Sequence, residues 1–358
     1  MTRISRRNFV QAAGAAAALP LIARPAFSQE PLKIAFMYVG PVGDFGWSWA
    51  HDHARKLMAD EMGGLVSTSY VESVPEGPDA ERVLREFAQQ GNKLIFATSF
   101  GYMNQVVKVS RQFPDVKFEH ATGYQRTKNM ATYNARFYEG RAVLGTIAGH
   151  MSKSGIGGYI ASFPIPEVVM GINAFTLAAQ KVNPDFKTKV IWVNSWFDPA
   201  KEADATRAMI DQGVDVITQH TDSPAPLQVA EERGVIGFGQ AADMSSFAPK
   251  AQMTAIEDNW APYYIKRARA VIDGTWTSGD TWWGLKEGAV RMSPYNPAMP
   301  ENVVMAAEAV RNGIIEGTYD TFAGPINDQN GVERVPSGGT QNDGQLLTMD
   351  WYVQGVQS

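Results

Sequence analysis

From residue 32 onward, short apolar runs alternate with helix-length amphipathic stretches, and this alternation restricts the fold more than any other feature. Leu32-Lys33-Ile34-Ala35-Phe36-Met37-Tyr38 has the apolar character of a buried strand and ends in the glycine-rich loop Gly40-Pro41-Val42-Gly43-Asp44-Phe45-Gly46. A helix is expected from residue 47 to about 62. Further strands are expected at 65–71, 93–98, 116–121, 157–162, 188–193, 214–219, 235–238 and 252–256, most of them separated by helix-length segments. This is the βαβ rhythm of a parallel sheet covered on both faces. It runs through two comparable blocks, and a helix at 140–151 opens the second. The expected fold is therefore α/β, with two doubly wound parallel-sheet lobes joined by a hinge. One lobe takes residues 29–137 and about 259–295, the other 138–258 and about 296–358, with crossings near 134–138 and 258–260. A helix returns at 263–272. The stretch 325–345, dense in Gly, Asn, Asp and Ser, reads as a surface loop before a last strand at 346–353.

The first residues read differently. Ser5-Arg6-Arg7-Asn8-Phe9-Val10 precedes a modest apolar run at 12–23 and then Arg24-Pro25-Ala26-Phe27-Ser28, the order of a twin-arginine export peptide ending at Ser28. The run is too short and too rich in alanine for a membrane span, which needs ~20 strongly apolar residues. Removing residues 1–28 takes away four arginines and no acid, leaving 28 basic against 37 acidic side chains, a net charge near −9. Nucleic acid and anionic membrane surfaces, which are bound through basic patches, are poor partners for such a chain. With no cysteine there is no disulfide framework, no thiolate metal site, no thiol nucleophile and no lipid-modified N-terminal cysteine. The expectation is a periplasmic monomer whose first partner is the twin-arginine export machinery.

Catalytic motifs are missing. There is no G-x-S-x-G elbow, P-loop or H-E-x-x-H. His51 and His53, two apart on a helix, point to different faces and cannot share a metal. His120 and His220 could reach a cleft, although packed histidines are commoner. The Gly40, Gly43, Gly46 spacing is not that of a dinucleotide loop, and Asp44 would repel a pyrophosphate, so neither cofactor nor metal is expected. Ligands of doubly wound sheets sit beyond the carboxyl ends of the strands. The loops there carry flat aromatics beside hydrogen-bonding groups: Phe45 and Trp47, Ser99 with Phe100 and Tyr102, Phe163 after Ser162, and Trp196 and Phe197 before Asp198. Such a set can sandwich a planar ring, each stacking face contributing about 1–3 kcal/mol, while polar groups read its edge.

Four segments also resemble a known family: Gly43-Asp44-Phe45-Gly46-Trp47, Phe96-Ala97-Thr98-Ser99-Phe100, Tyr138-Glu139-Gly140-Arg141-Ala142-Val143-Leu144-Gly145, and Trp196-Phe197-Asp198-Pro199-Ala200-Lys201. In this order and spacing they resemble the basic membrane protein family of ABC-importer substrate-binding proteins, whose best understood members are purine nucleoside receptors. The resemblance implies a non-enzyme that hands a small molecule to an ABC permease. It implies that Asp44 and Trp47 hold and stack a base, that Trp196 covers the other face, and that the Ser99-Phe100 loop borders the ligand.

Departures from the pattern shift the expected ligand. Gly239 stands where nucleoside receptors carry an acid, Asp258 beside Trp260 where they carry a lysine, and Thr122 where a further acid is expected. Asp222, in a loop where relatives have glycine, adds an acceptor for an exocyclic amine or ring N–H. Groups assignable to ribose are the ones replaced, so the expected ligand is a purine nucleobase such as adenine. A nucleoside, a sugar, another heterocycle, or an exported nucleoside hydrolase remain the alternatives.

Overall fold

The computed structural model describes residues 30–43 and 45–358; the segment 1–28 read as an export peptide, and Asp44, lie outside the described residues. The chain first lays down β1 (Leu32–Met37), α1 (Gly46–Met62), β2 (Val66–Val71), α2 (Pro78–Gln89), β3 (Leu94–Ala97), α3 (Met103–Ser110), β4 (Lys117–Ala121) and β5 (Met130–Ala135). A second run follows: α4 (Phe137–Met151), β6 (Ile156–Ala161), α5 (Pro166–Val182), β7 (Lys187–Trp192), α6 (Pro199–Asp211), β8 (Val216–His220), α7 (Ala225–Arg233), β9 (Ile236–Gly239) and β10 (Gln252–Asp258). It closes with α8 (Ala261–Ile272), β11 (Asp280–Trp283), β12 (Val290–Met292), α9 (Glu301–Glu316), the pair β13 (Ile326–Asn327) and β14 (Glu333–Val335), α10 (Asp343–Leu346) and β15 (Val356–Gln357).

Two sheets result. The first has the order β11-β5-β4-β3-β1-β2 with every pair parallel; the second is β12-β10-β9-β8-β6-β7-β15, parallel except where β12 runs against β10. This is the two-lobed, doubly wound α/β architecture. Strands such as β1, β3 and β8 are buried on both faces, as helix-covered parallel strands must be. In the second lobe α4 and α5 approach closely because Gly145 and Gly149 face α5: a Cβ at Gly149 would lie 2.7 Å from the carbonyl oxygen of Ala179.

The chain passes between the sheets three times, at 135–137, 258–261 and 283–290, and it is back in the second sheet by Val290. The final apolar segment is not the strand expected at 346–353. Leu346, Met349 and Val353, spaced three and four apart, bury themselves in a helical turn and irregular chain, and Asn173 of α5 pins that segment by donating to the Trp351 carbonyl and accepting from Val353 N–H. Only Val356–Gln357 pairs as a strand, on β7.

Two crossings are tied to each other. The Glu139 carboxylate, in the first turn of α4, accepts from Leu285 N–H at 2.7 Å, while Arg136 forks onto Asp343 at 2.8 and 2.7 Å and covers the Trp282 ring. Burial, opposed by the Leu285 bond and by Arg136, pushes the Glu139 carboxyl up to about 7 from 4.5. A raised carboxyl holds its proton more tightly when folded, so its stabilising contribution is full below about 4.5 and disappears as pH rises through 7. Glu139→Gln keeps an acceptor but cannot ionise. By urea unfolding, the variant should gain on the wild type by about 1–3 kcal/mol between pH 5 and pH 8; an offset equal at both pH values would refute the assignment.

Candidate functional site

The carboxyl ends of both sets of strands face one another across a narrow cavity. Its walls are Val39 and Trp47 after β1, Ser99 and Phe100 after β3, Thr122 after β4, Glu167 in the first turn of α5, Trp196 after β7, His220 and Asp222 at and beyond β8, and Gln240 after β9. Among the described residues, five non-glycine residues have positive φ, and all lie in loops that follow strands: Phe45, Ser73, Thr122, Asn194 and Ala241, with φ between 52° and 62°. Such conformations cost about 1–2 kcal/mol each. They concentrate at the end of the sheets where the cavity opens, which is where strain is commonly kept for function.

The expected site residues divide. Trp47, Ser99, Phe100, Trp196 and Asp222 surround the cavity. Trp47 has little free face: its ring meets His51, Trp260 and Phe137 at steep angles, and its Nε1–H donates to the Thr98 carbonyl. The Ser99 hydroxyl donates to Glu76 at 2.6 Å, and the neutral His120 supports the loop through Nε2–H to the Ser99 carbonyl at 2.8 Å. Burial lowers the His120 pKa to about 4.

Phe45, Phe163, Gly239 and Asp258 are not among the cavity walls. Phe45 instead stacks on Trp49 at 4.7 Å and meets Phe247 edge-on, bridging the lobes to the side of the cavity. Phe163 packs against Trp196 with centroids 5.1 Å apart and so backs the wall. Gly239 is closed in: a Cβ there would lie 2.6 Å from the Ala255 Cβ. Asp258 is buried at the end of β10 with both carboxylate oxygens unpartnered. Among the described residues, no cluster of His, Asp and Glu is arranged to hold a metal ion.

Sequence reasoning missed Glu167, Gln240 and Arg141, and it set His220 aside as packing. Arg141, fully buried, donates to Thr218 Oγ1 at 2.9 Å, to the Gln219 carbonyl at 2.7 Å and to Gln240 Oε1, and so holds the β8 and β9 ends in place. His220 Nε2 lies 3.4 Å from Glu167 Oε1. Burial lowers the His220 pKa, against the hydrogen bond to Glu167. Left without partners are Glu167 Oε2, His220 Nδ1 and Trp196 Nε1, polar atoms of cavity-wall residues that a ligand could satisfy. The Asp222 carboxyl is pushed well above the usual carboxylate range by burial and by Glu202, against the Trp47 backbone N–H. Asp258 is pushed the same way by burial and Glu167, against Arg141.

Comparison with known proteins identifies the family. The family model described as Bmp, ABC transporter substrate-binding protein PnrA-like, matches residues 32–320. The chain belongs to this family. It is an ABC-transporter substrate-binding protein of the Bmp type. A purine-binding protein of Brucella abortus is 58% identical over 331 residues, 92% of this chain and 94% of that one. A protein of Haloferax volcanii named as a candidate ABC transporter glucose-binding protein is 38% identical over 328 residues, 92% of this chain and 81% of that one. Among solved structures, a solute-binding protein of an ABC transporter system from Aeropyrum pernix superposes with a TM-score of 0.70, covering 88% of this chain and 95% of its own at 20% identity, which speaks to the fold. These relatives are named for binding, not for catalysis.

Proposed function

We propose that this Bmp protein binds a purine nucleobase, adenine or a close analogue, between its lobes outside the cytoplasm, and presents it to an ABC importer without transforming it. The observation that carries the ligand class is the chemistry of the walls. Aromatic side chains from both lobes, Phe100 on one side and Trp196 on the other with the largely buried Trp47 beside them, line a slot suited to a flat ring. On the same walls Asp222, whose burial favours the protonated form, offers an O–H donor beside a carbonyl acceptor. That is the complement of a ring nitrogen next to an exocyclic amine, the edge pattern of adenine. Glu167 Oε2 and Trp196 Nε1 add one acceptor and one donor. The name carried by the 58% identical relative points to the same class.

The export peptide read at 1–28 and a monomeric, lipid-free state belong to this proposal. Mass spectrometry of small molecules released from the denatured protein should find a purine; a hexose instead would favour the activity named for the Haloferax relative. Trp196→Ala removes one aromatic wall and should weaken adenine binding by about 1–3 kcal/mol by calorimetry, roughly tenfold to a hundredfold. Unchanged affinity would mean that the ring does not stack there. Incubated adenosine and adenine should be recovered intact.

A further inference from the structure

Next to the slot lies a second chamber of about 650 Å³ that shares Phe100, Thr122 and Glu167 with it. Its other walls come from both lobes and from the chain end: Tyr124, Ile165, Pro166, Met170 and Leu347 make most of its surface apolar. Tyr124 is 60% exposed, so the chamber reaches solvent on that side. The Arg136 fork onto Asp343 holds the helix α10 end of the tail, four residues before Leu347, against the first crossing. The chamber's wall is thus anchored.

We propose that this chamber is a subsite for an apolar substituent on the bound heterocycle, so that the protein accepts alkyl- or arylmethyl-substituted purines as well as the bare base. The inference rests on the purine reading and extends it. The slot and the chamber share three wall residues, so a substituent that points from the ring toward Phe100, Thr122 and Glu167 is directed at the chamber. Phe100, from one lobe, and Glu167, from the other, line both cavities. An amine-linked substituent can still donate its remaining N–H to a carboxylate such as Glu167 while its hydrocarbon part enters the chamber. Burying a benzyl group against Ile165, Met170 and Leu347 is favourable through apolar area removed from water, and a charged substituent would find no cationic partner on those walls.

Calorimetry with adenine, N6-benzyladenine and 9-benzyladenine tests it on the full-length protein stripped of bound ligand. At least one benzyl derivative should bind within tenfold of adenine or more tightly. Leu347→Asp should weaken that derivative at least tenfold and leave adenine unchanged. If adenine binds and both derivatives lose more than a hundredfold, the chamber is no subsite, whereas the purine reading stands. If Leu347→Asp weakens adenine and the derivative equally, the chamber acts only through lobe structure and the inference fails. If none of the three binds, both readings fall together.

Discussion

Replacing Gly46 by alanine is expected to leave the protein folded but unable to close. Gly46 opens α1 with φ at +79°, and a Cβ there would overlap the backbone carbonyl of Asp222, which belongs to the opposite lobe. The strain of an alanine at this φ is about 1–2 kcal/mol. The overlap is different in kind, because backbone cannot move aside as the end of a flexible side chain can, and it exists only when the lobes are together. A ligand that contacts both lobes draws its affinity from the closed form, so a population shift toward the open form reduces apparent affinity by the same factor. Affinity for the ligand released from the native protein should drop at least a hundredfold. Small-angle scattering should show no compaction on adding it, with melting of the ligand-free protein only slightly changed. Gly43→Ala is the control: nothing lies within 4 Å of its Cβ position, and its φ is ordinary. If both variants bind equally well, the contact between Gly46 and Asp222 does not define the liganded state.

Arg141→Met should have the largest effect on stability. The guanidinium is completely buried, covers the Tyr159 ring and supplies the hydrogen bonds that organise the ends of β8 and β9. It is also the cation within electrostatic reach of the buried Asp258 carboxyl, which Glu167 and Asp222 both disfavour as an anion. Removing one member of such a buried set costs about 3–5 kcal/mol, because the remaining groups stay buried without compensation. Urea unfolding should register that loss, and a change below about 1 kcal/mol would contradict the assigned role. Arg141→Lys keeps the charge without the planar fork and should fall between.

The repeating strands were legible because helix-covered parallel strands leave apolar runs, as at Leu32–Met37 and Leu94–Ala97. The strand Met130–Ala135 left no such run. It is buried throughout, but Thr132 and Asn134 interrupt its apolar character, and their polar groups are satisfied by a residue 148 positions away, Asp280, and by the neighbouring backbone. The site was half legible for a related reason. Aromatics in post-strand loops can be counted from sequence, but the direction of each ring cannot, so Trp196 and Phe100 reached the cavity while Phe45, in the same kind of loop, turned toward Trp49 and Phe247. Glu167 stood one residue after a proline at the start of a helix that follows a strand, a position that by itself marks a loop facing the ligand side.

The threading of the chain also bears on how fast it can fold. Thr132 and Asp280, neighbours across β5 and β11, are 148 residues apart, and Asn173 receives its partner Val353 from 180 residues downstream. Contacts this distant in sequence reward the chain only after long loops have closed, which places such topologies at the slow end of folding rates. During synthesis β5 is made well before β11, and β7 well before β15, so each waits as an open strand edge. Those edges are where an unfinished chain would pair with the wrong partner or be held by a chaperone, the first until β11 is made and the second until β15 is.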